Sequence, residues 1–333
     1  MLVVIGVHNK NKPLNSSAKC NRVRFVSKNP LSRRYFAFLG GLAAIFFVQY
    51  PAVAQPLVLQ NDELIVAYEP SLEGAAAEAL RLYPDLKQEL EKIFTWSLDI
   101  RPQVVLVKNT RTFRKLSHNE LFVAFAVPEK NLIVIDYARM NLHPFSLRIT
   151  FKHELCHLLL HRHISNRRLP RWLEEGICQW ASDGIGEIFL DKSWSGLDAA
   201  IMADRVLHLR KLTKKFPQDK PSLILAYEQS KSVVNYIDRQ YGKGAILDLL
   251  GHLKNGESME AAAIKSLGIS TDELEKKWLG YLESTPRWLV YLADNLYGIL
   301  FFVAALLTVL GFIRRIMRRR VWESEEEEEA NDE

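Results

Sequence analysis

The first 54 residues contain no acidic side chain, and residues 55 to 313 carry no net charge at all. The formal charge of +5 therefore lies at the two ends of the 333-residue chain. Eight Lys/Arg stand before residue 55, and five Arg face eight acids after residue 313. A neutral body gives nucleic acid no electrostatic footprint, so no nucleic-acid partner is expected. Cysteine is scarce as well, with Cys20, Cys156 and Cys178 the full complement. Long apolar runs are confined to two places, near Phe36 to Val48 and from Leu296 to Ile313. The remaining composition, 48% hydrophobic and 25% charged, is that of a foldable globular protein with room for one large domain or two modest ones.

The two apolar runs read as export and anchoring. Ser32-Arg33-Arg34-Tyr35-Phe36 precedes the first run, and Ala52-Val53-Ala54 fits the small-x-small rule for cleavage. Residues 1–54 are thus expected to be a signal peptide that takes Cys20 with it, either of the twin-arginine type or an ordinary secretory one. The second run is uncharged for eighteen residues and is followed by Arg314, Arg315, Arg318, Arg319 and Arg320. That is long enough for a transmembrane helix, placed at 288–313 with Trp288 to Leu292 at one interface. The positive-inside rule then puts residues 314–333, a basic and then disordered acidic tail, in the cytoplasm. The domain before it faces the extracytoplasmic, periplasmic side.

Between these ends stands His153-Glu154-Leu155-Cys156-His157, followed by Trp172-Leu173-Glu174-Glu175-Gly176. Histidines at i and i+4 share one helix face, where two imidazoles can hold one zinc ion. Glu154 between them has reach to a water in the open fourth position. A catalytic zinc needs three protein ligands, so a third must come from elsewhere. The flanks Ile149-Thr150-Phe151 and Leu158-Leu159-Leu160 predict a buried helix, in which two histidines and a glutamate without partners would be costly. The acidic pair opens a second short helix after Pro170. Glu174 and Glu175 of that pair are the candidates for the third ligand, with His161, one turn beyond His157, as another. His161 and His163 also fit the plainer role of histidines near a helix C-terminus.

These two motifs resemble the gluzincin metallopeptidases, and more closely the peptidase-MA-like family of exported bacterial metallohydrolases. In that group the glutamate before the glycine of Trp-Leu-x-Glu-Gly is the third ligand, which here is Glu175, with seventeen residues between it and His157. The resemblance implies an α+β zincin-like domain, with an N-terminal mixed sheet and an active-site helix followed by an all-helical subdomain. The corresponding segments are 55–150 for the α+β part, 151–186 for the zinc-site helices and 187–287 for the helical part. Ala226-Tyr227-Glu228-Gln229-Ser230, Tyr236, Tyr241-Gly242-Lys243 and Leu267-Gly268-Ile269-Ser270 extend the likeness through this tail. It further implies peptide-bond hydrolysis of a peptide or protein substrate, with Glu154 as general base and a tyrosine steadying the oxyanion. Tyr227 is the first choice for that tyrosine and Tyr236 the second.

Several readings stay open at this level. The same ligands would serve hydrolysis of a non-peptide amide, or a structural zinc in an inactive envelope scaffold. Asp183 is a possible acceptor orienting a ligand histidine, or a plain surface aspartate. Cys156 and Cys178 each follow a ligand by three residues and are either a disulfide behind the site or two small buried thiols. Upstream, the sequence predicts short strands over Leu57 to Tyr68, a helix from Ala75 to Trp96, and a strand at Val104 to Val107. Phe122 to Val127 and Leu132 to Ile135 form a hairpin about Pro128-Glu129-Lys130-Asn131. By resemblance, Leu132 to Tyr137 is the sheet edge that receives an extended substrate.

Overall fold

A computed structural model describes residues 21–22, 56–140, 142, 145–182, 196–284 and 296–331, with 21–22 and 316–331 as backbone only. Apart from residues 21–22, the expected signal peptide lies outside these residues, as do its cleavage site, Cys20, Asp183 and Trp288 to Leu292. The chain divides into two compact units, residues 1–276 and 277–333.

The first unit is built on a mixed six-stranded sheet in the order β1-β2-β3-β4-β6-β5. Its strands are β1 (Asn21–Arg22), β2 (Leu57–Gln60), β3 (Ile65–Tyr68), β4 (Gln103–Val107), β5 (Ala124–Val127) and β6 (Leu132–Asp136). The β2–β3 hairpin turns at Asn61, whose side-chain oxygen accepts the backbone N–H groups of Glu63 (3.0 Å) and Leu64 (2.7 Å). Strands β3, β4 and β6 run parallel, and β5, which leads into β6 through a turn closed by Asn131 in the left-handed region (φ 50°), pairs with it antiparallel. The outer strand on this side is therefore β5, and the expectation that Leu132 to Tyr137 forms the edge is corrected. Every residue of β6 is buried. A continuous apolar strand covered on both faces belongs inside a sheet.

Helix α1 (Glu73–Phe94) packs across the sheet and keeps going through Pro84, ending on Thr95 in the left-handed region. After α2 (Thr110–Ser117) the chain reaches α3 (Leu147–His163), capped by the Ser146 hydroxyl, which accepts from the Ile149 N–H at 3.2 Å. From Thr150 to Leu160 no residue of α3 is exposed. A helix buried on all sides shows no single apolar face, which is why polar ligands can sit at consecutive turns without breaking its pattern. Glu89 on α1 pairs with both Arg148 and Lys152 (2.9 Å), which fixes α3 across α1.

Helix α4 (Arg171–Ala181) starts at Arg171, not at Glu175, so the acidic pair lies in its first two turns. Next come α5 (Gly196–Met202), α6 (Lys220–Lys254), α7 (Met259–Leu267) and α8 (Thr271–Ser284), the last running into the second unit. Of the region 187–285, expected to be helical throughout, the described residues 196–284 are helical in pieces. Irregular connections at 203–208 and 213–219, with a short 3-10 helix (Leu209–Leu212) between them, interrupt it, and α6 is broken at Gly242 (φ 83°, ψ 163°). The Asp219 carboxylate caps α6 by accepting from the Ser222 N–H at 3.0 Å.

In the second unit α9 (Leu296–Asn331) contains one stretch, Leu296–Arg315, long and apolar enough to cross a membrane, with mean hydropathy 2.5. Its backbone stays helical through the acidic segment to Asn331, where disorder was expected. Glutamate is a good helix former, so a helix already nucleated upstream continues through it.

Candidate metal centre and its cleft

His153 and His157 project from one face of α3, and their Nε2 atoms stand 3.1 Å apart. Glu175 comes from α4, with Oε2 3.6 Å from each of them. All three side chains are within 2% of full burial. A tetrahedral ion bonded to nitrogen and oxygen at about 2.0–2.1 Å holds its donors about 3.3 Å apart, so this triangle has the size of one face of such a site. The charges agree with the geometry. Glu154, Glu174 and Glu175 are buried together, while Arg171 is the one guanidinium among the described residues that contacts them. Buried carboxylates gathered in this way are normally paired with cations or held by a metal. A donor set of two imidazoles and a carboxylate suits zinc.

Glu174, the alternative third ligand, stands outside the group formed by His153, His157 and Glu175. Its Oε1 accepts from Nδ1 of His157 at 2.7 Å and from Nε2 of His161 at 2.8 Å, so it grips His157 on the side away from Nε2. That bond fixes the tautomer with the proton on Nδ1 and leaves Nε2 as the donor to a metal. Burial acts to raise the Glu174 carboxyl, but the hydrogen bonds from the two histidines outweigh it and hold the group well below the usual carboxylate range. For Glu175 burial wins and raises the carboxyl, with Arg171 (2.5 Å) and the Tyr227 hydroxyl opposing it.

His161 therefore serves Glu174. His163 lies outside the centre, bonded to the Ser97 carbonyl (2.8 Å) and against the Trp96 ring. Asp183 lies outside the described residues; the acceptor on His157 is Glu174, next to Glu175.

Behind the centre, Cys156 and Cys178 face one another with Sγ atoms 2.6 Å apart, both as free buried thiols. Burial pushes the Cys178 thiol well up, so it is not a thiolate donor. Glu154, between the two ligand histidines, is fully buried. Tyr227 on α6 is buried, stands edge-on to Phe216, and reaches both Glu175 and the cleft described next. Tyr236, the second choice, is packed on Tyr241 one face further along α6 and does not line that cleft.

The residue after Glu175 has its own reason. A Cβ on Gly176 would stand 2.3 Å from the Ser230 carbonyl oxygen and 2.6 Å from Val234 Cγ2, so α4 and α6 touch backbone to backbone here. Gln179 donates to the Tyr227 carbonyl (3.1 Å) and Trp180 to Asp238 (3.1 Å), which continues the same contact.

A cleft of about 1130 Å³ opens over the centre. His157, Glu174 and Tyr227 reach it from below, β5 supplies Phe125 and Ala126 on one wall, and Phe216 and Leu223 form the other.

The family described as the Peptidase MA superfamily matches residues 116–284, slightly more than half of the chain and the part that contains both motifs, β5 and the cleft. No curated protein sequence matches the chain. Among solved structures, yeast LTA4 hydrolase in complex with bestatin is similar over 68% of this chain at 15% identity and a TM-score of 0.40. The chain covers 37% of that protein's length. With two histidines one helical turn apart and a glutamate from the next helix converging on one point, and with the family match spanning them all, the chain belongs to the Peptidase MA superfamily.

Proposed function

We propose that the chain is a membrane-anchored zinc metallopeptidase that hydrolyses peptide bonds on the extracytoplasmic side. The observation that carries this reading is the convergence of His153 Nε2, His157 Nε2 and Glu175 Oε2 beneath an open cleft. Those three residues would hold the ion. A zinc ion there supplies a Lewis acid that activates water and polarises the scissile carbonyl.

The chain's own residues do the rest. Glu154 takes the proton of the attacking water and returns it to the departing amine. Tyr227 donates its hydroxyl proton to the oxyanion that forms at the carbonyl. Strand β5, at the sheet edge and on the cleft wall, pairs with an extended substrate and holds its main chain in register. Glu174 and Arg171 keep His157 and Glu175 in place while the charge at the centre changes. The topology rests on two sequence features, the leader before residue 55 and the five arginines after the apolar stretch of α9, which keep the C-terminus in the cytoplasm.

The test uses purified full-length protein in a neutral detergent. Wild type should contain one zinc per chain and cleave denatured protein, Glu175→Ala should lose the zinc, and Glu154→Gln should keep the zinc and lose at least 99% of turnover. Undiminished cleavage by Glu154→Gln would refute the mechanism.

A further inference from the structure

Resting on the peptidase reading of the cleft, we propose that it selects acidic peptides, through a collar of four cations formed by Arg167, Arg168, Lys214 and Lys215. All four line the cleft and all are exposed. Arg167 and Arg168 lie on the loop between α3 and α4, and Lys214 and Lys215 on the loop that precedes α6. The two loops are tied together where the Arg171 N–H donates to the Thr213 carbonyl at 2.8 Å. None of the four pairs with an acid among the described residues, although acidic partners neutralise the exposed Arg148 and Arg210 elsewhere.

The acids lining the cleft do not offset them. Glu174 is buried and already bound by His157, His161 and Arg171. Glu129 lies beyond the far end of β5, in the turn that leaves it. The positive field is therefore local. Residues 55 to 313 as a whole are neutral, so these charges are concentrated here and are not part of a general basic surface.

A cleft lined with like charges focuses the field and favours occupants of the opposite sign. The apolar walls at Phe122, Phe125, Phe216 and Leu223, together with the edge strand, call for a main chain with apolar side chains as well. An acidic peptide carrying a few apolar residues meets both demands. A nucleic acid would satisfy the charge alone.

Each exposed ion pair changes affinity by a factor of roughly 1.5 to 5, so two or three carboxylates in reach of the collar should give about tenfold discrimination. Binding is measured by fluorescence anisotropy on full-length Glu154→Gln protein in neutral detergent, loaded with zinc. The probes are three labelled decapeptides with the same apolar residues and either Asp/Glu, Asn/Gln or Lys at the remaining positions. A single-stranded oligonucleotide of matching charge is the fourth probe. The acidic peptide should bind about tenfold tighter than its amide counterpart, and the difference should shrink to less than twofold in 0.5 M NaCl. K214E/K215E and R167E/R168E should each reduce or reverse the preference while binding the amide peptide as before.

Equal affinities for the three peptides would overturn the proposal. So would a preference that survives both charge reversals, or an oligonucleotide that binds as tightly as the acidic peptide and is lost from the same variants. Cleavage by wild type is followed in parallel. If no peptide is cut but the binding order holds, the peptidase reading fails and the selection stands. If all three are cut with the same kcat/KM, the selection fails and the peptidase reading stands.

Discussion

Replacing Gly176 by Ala sets two well-known effects against each other. Alanine in a helix interior is worth up to about 1 kcal/mol over glycine, so propensity alone makes Gly176→Ala stabilising. The packing says otherwise. The new methyl would stand 2.3 Å from the Ser230 carbonyl oxygen, 2.6 Å from Val234 Cγ2 and 2.8 Å from the Ser230 carbonyl carbon. Val234 is fully buried and β-branched, with one dominant rotamer in a helix, and Ser230 contributes backbone, so neither can swing aside. The helices α4 and α6 must separate by about 1 Å to reach ordinary contact. Overpacking of this kind costs about 1–3 kcal/mol, and a clash with backbone belongs at the upper end. A net loss of about 2 kcal/mol follows, which for a domain of this size lowers Tm by roughly 4–8 °C.

The same movement carries Glu175, one residue back, away from two histidines held on α3. Since a site of this kind needs its donors placed to within about 0.5 Å, zinc affinity should fall at least tenfold. The assay is thermal unfolding by circular dichroism on full-length protein in detergent, with zinc affinity from competition against a chromophoric chelator. Gly251→Ala in α6 is the control. Nothing lies within 4 Å of a Cβ at Gly251, so there the propensity term acts alone and should stabilise by about 0.5–1 kcal/mol. Gly176→Ala protein that melts at or above the wild-type temperature with unchanged zinc affinity would contradict the close approach of α4 to α6.

Three further outcomes test the surroundings of the centre. Glu174→Ala should weaken zinc binding 10–100-fold with the fold retained, because His157 loses the partner that fixes its Nδ1 proton; an affinity within threefold of wild type by chelator competition would remove Glu174 from this role. Tyr227→Phe should lower kcat by about 10²–10³ with KM nearly unchanged, as expected for a donor to the oxyanion; a loss of bound zinc with intact kcat per zinc would instead assign Tyr227 to Glu175 alone. Cys156 and Cys178, whose sulfurs are 2.6 Å apart against a bond length of about 2.05 Å, should be found as a disulfide in protein isolated from an oxidising compartment, formed by exchange with its oxidised dithiols. Alkylation followed by mass measurement, before and after reduction, counts the thiols. Closing that loop should stabilise by about 3 kcal/mol, so reduced protein that melts with the oxidised form would leave the pair as plain core.

The sequence exposed the centre more completely than the sheet that supports it. Two histidines at i and i+4 are a local pattern that helix geometry places on one face, while the glutamate before glycine was legible only through its resemblance to the family's Trp-Leu-x-Glu-Gly pattern. Strand order is not local. The hairpin of β5 and β6 was legible from its turn residues, but which member lies outermost depends on β4, which precedes both and pairs with the later strand. A sign of it was present in Leu132-Ile133-Val134-Ile135, a run with no polar alternation and so no solvent face. The role of Glu174 was hidden for a different reason. Two consecutive glutamates offer the same chemistry, and only the approach of α4 to α3 decides which nitrogen of His157 each one meets.

That approach explains why the acidic residues come as a pair. Neighbouring positions on a helix point about 100° apart, and here the divergence is spanned by a single imidazole. Glu175 Oε2 lies 3.6 Å from Nε2 of His157, while Glu174 Oε1 lies 2.7 Å from Nδ1 of the same ring. One turn of α4 therefore sets one carboxylate beside Nε2 of His157 and another against Nδ1. Arg171, at the start of the same helix, contacts both carboxylates and limits their mutual repulsion. The rigidity that places three donors on one point thus comes from the second helix, which is itself pressed against α6 at Gly176. The Trp-Leu-Glu-Glu-Gly stretch supplies Glu175 to the candidate metal centre, Glu174 to the opposite nitrogen of His157, and the gap in side-chain volume that lets the helix come this close.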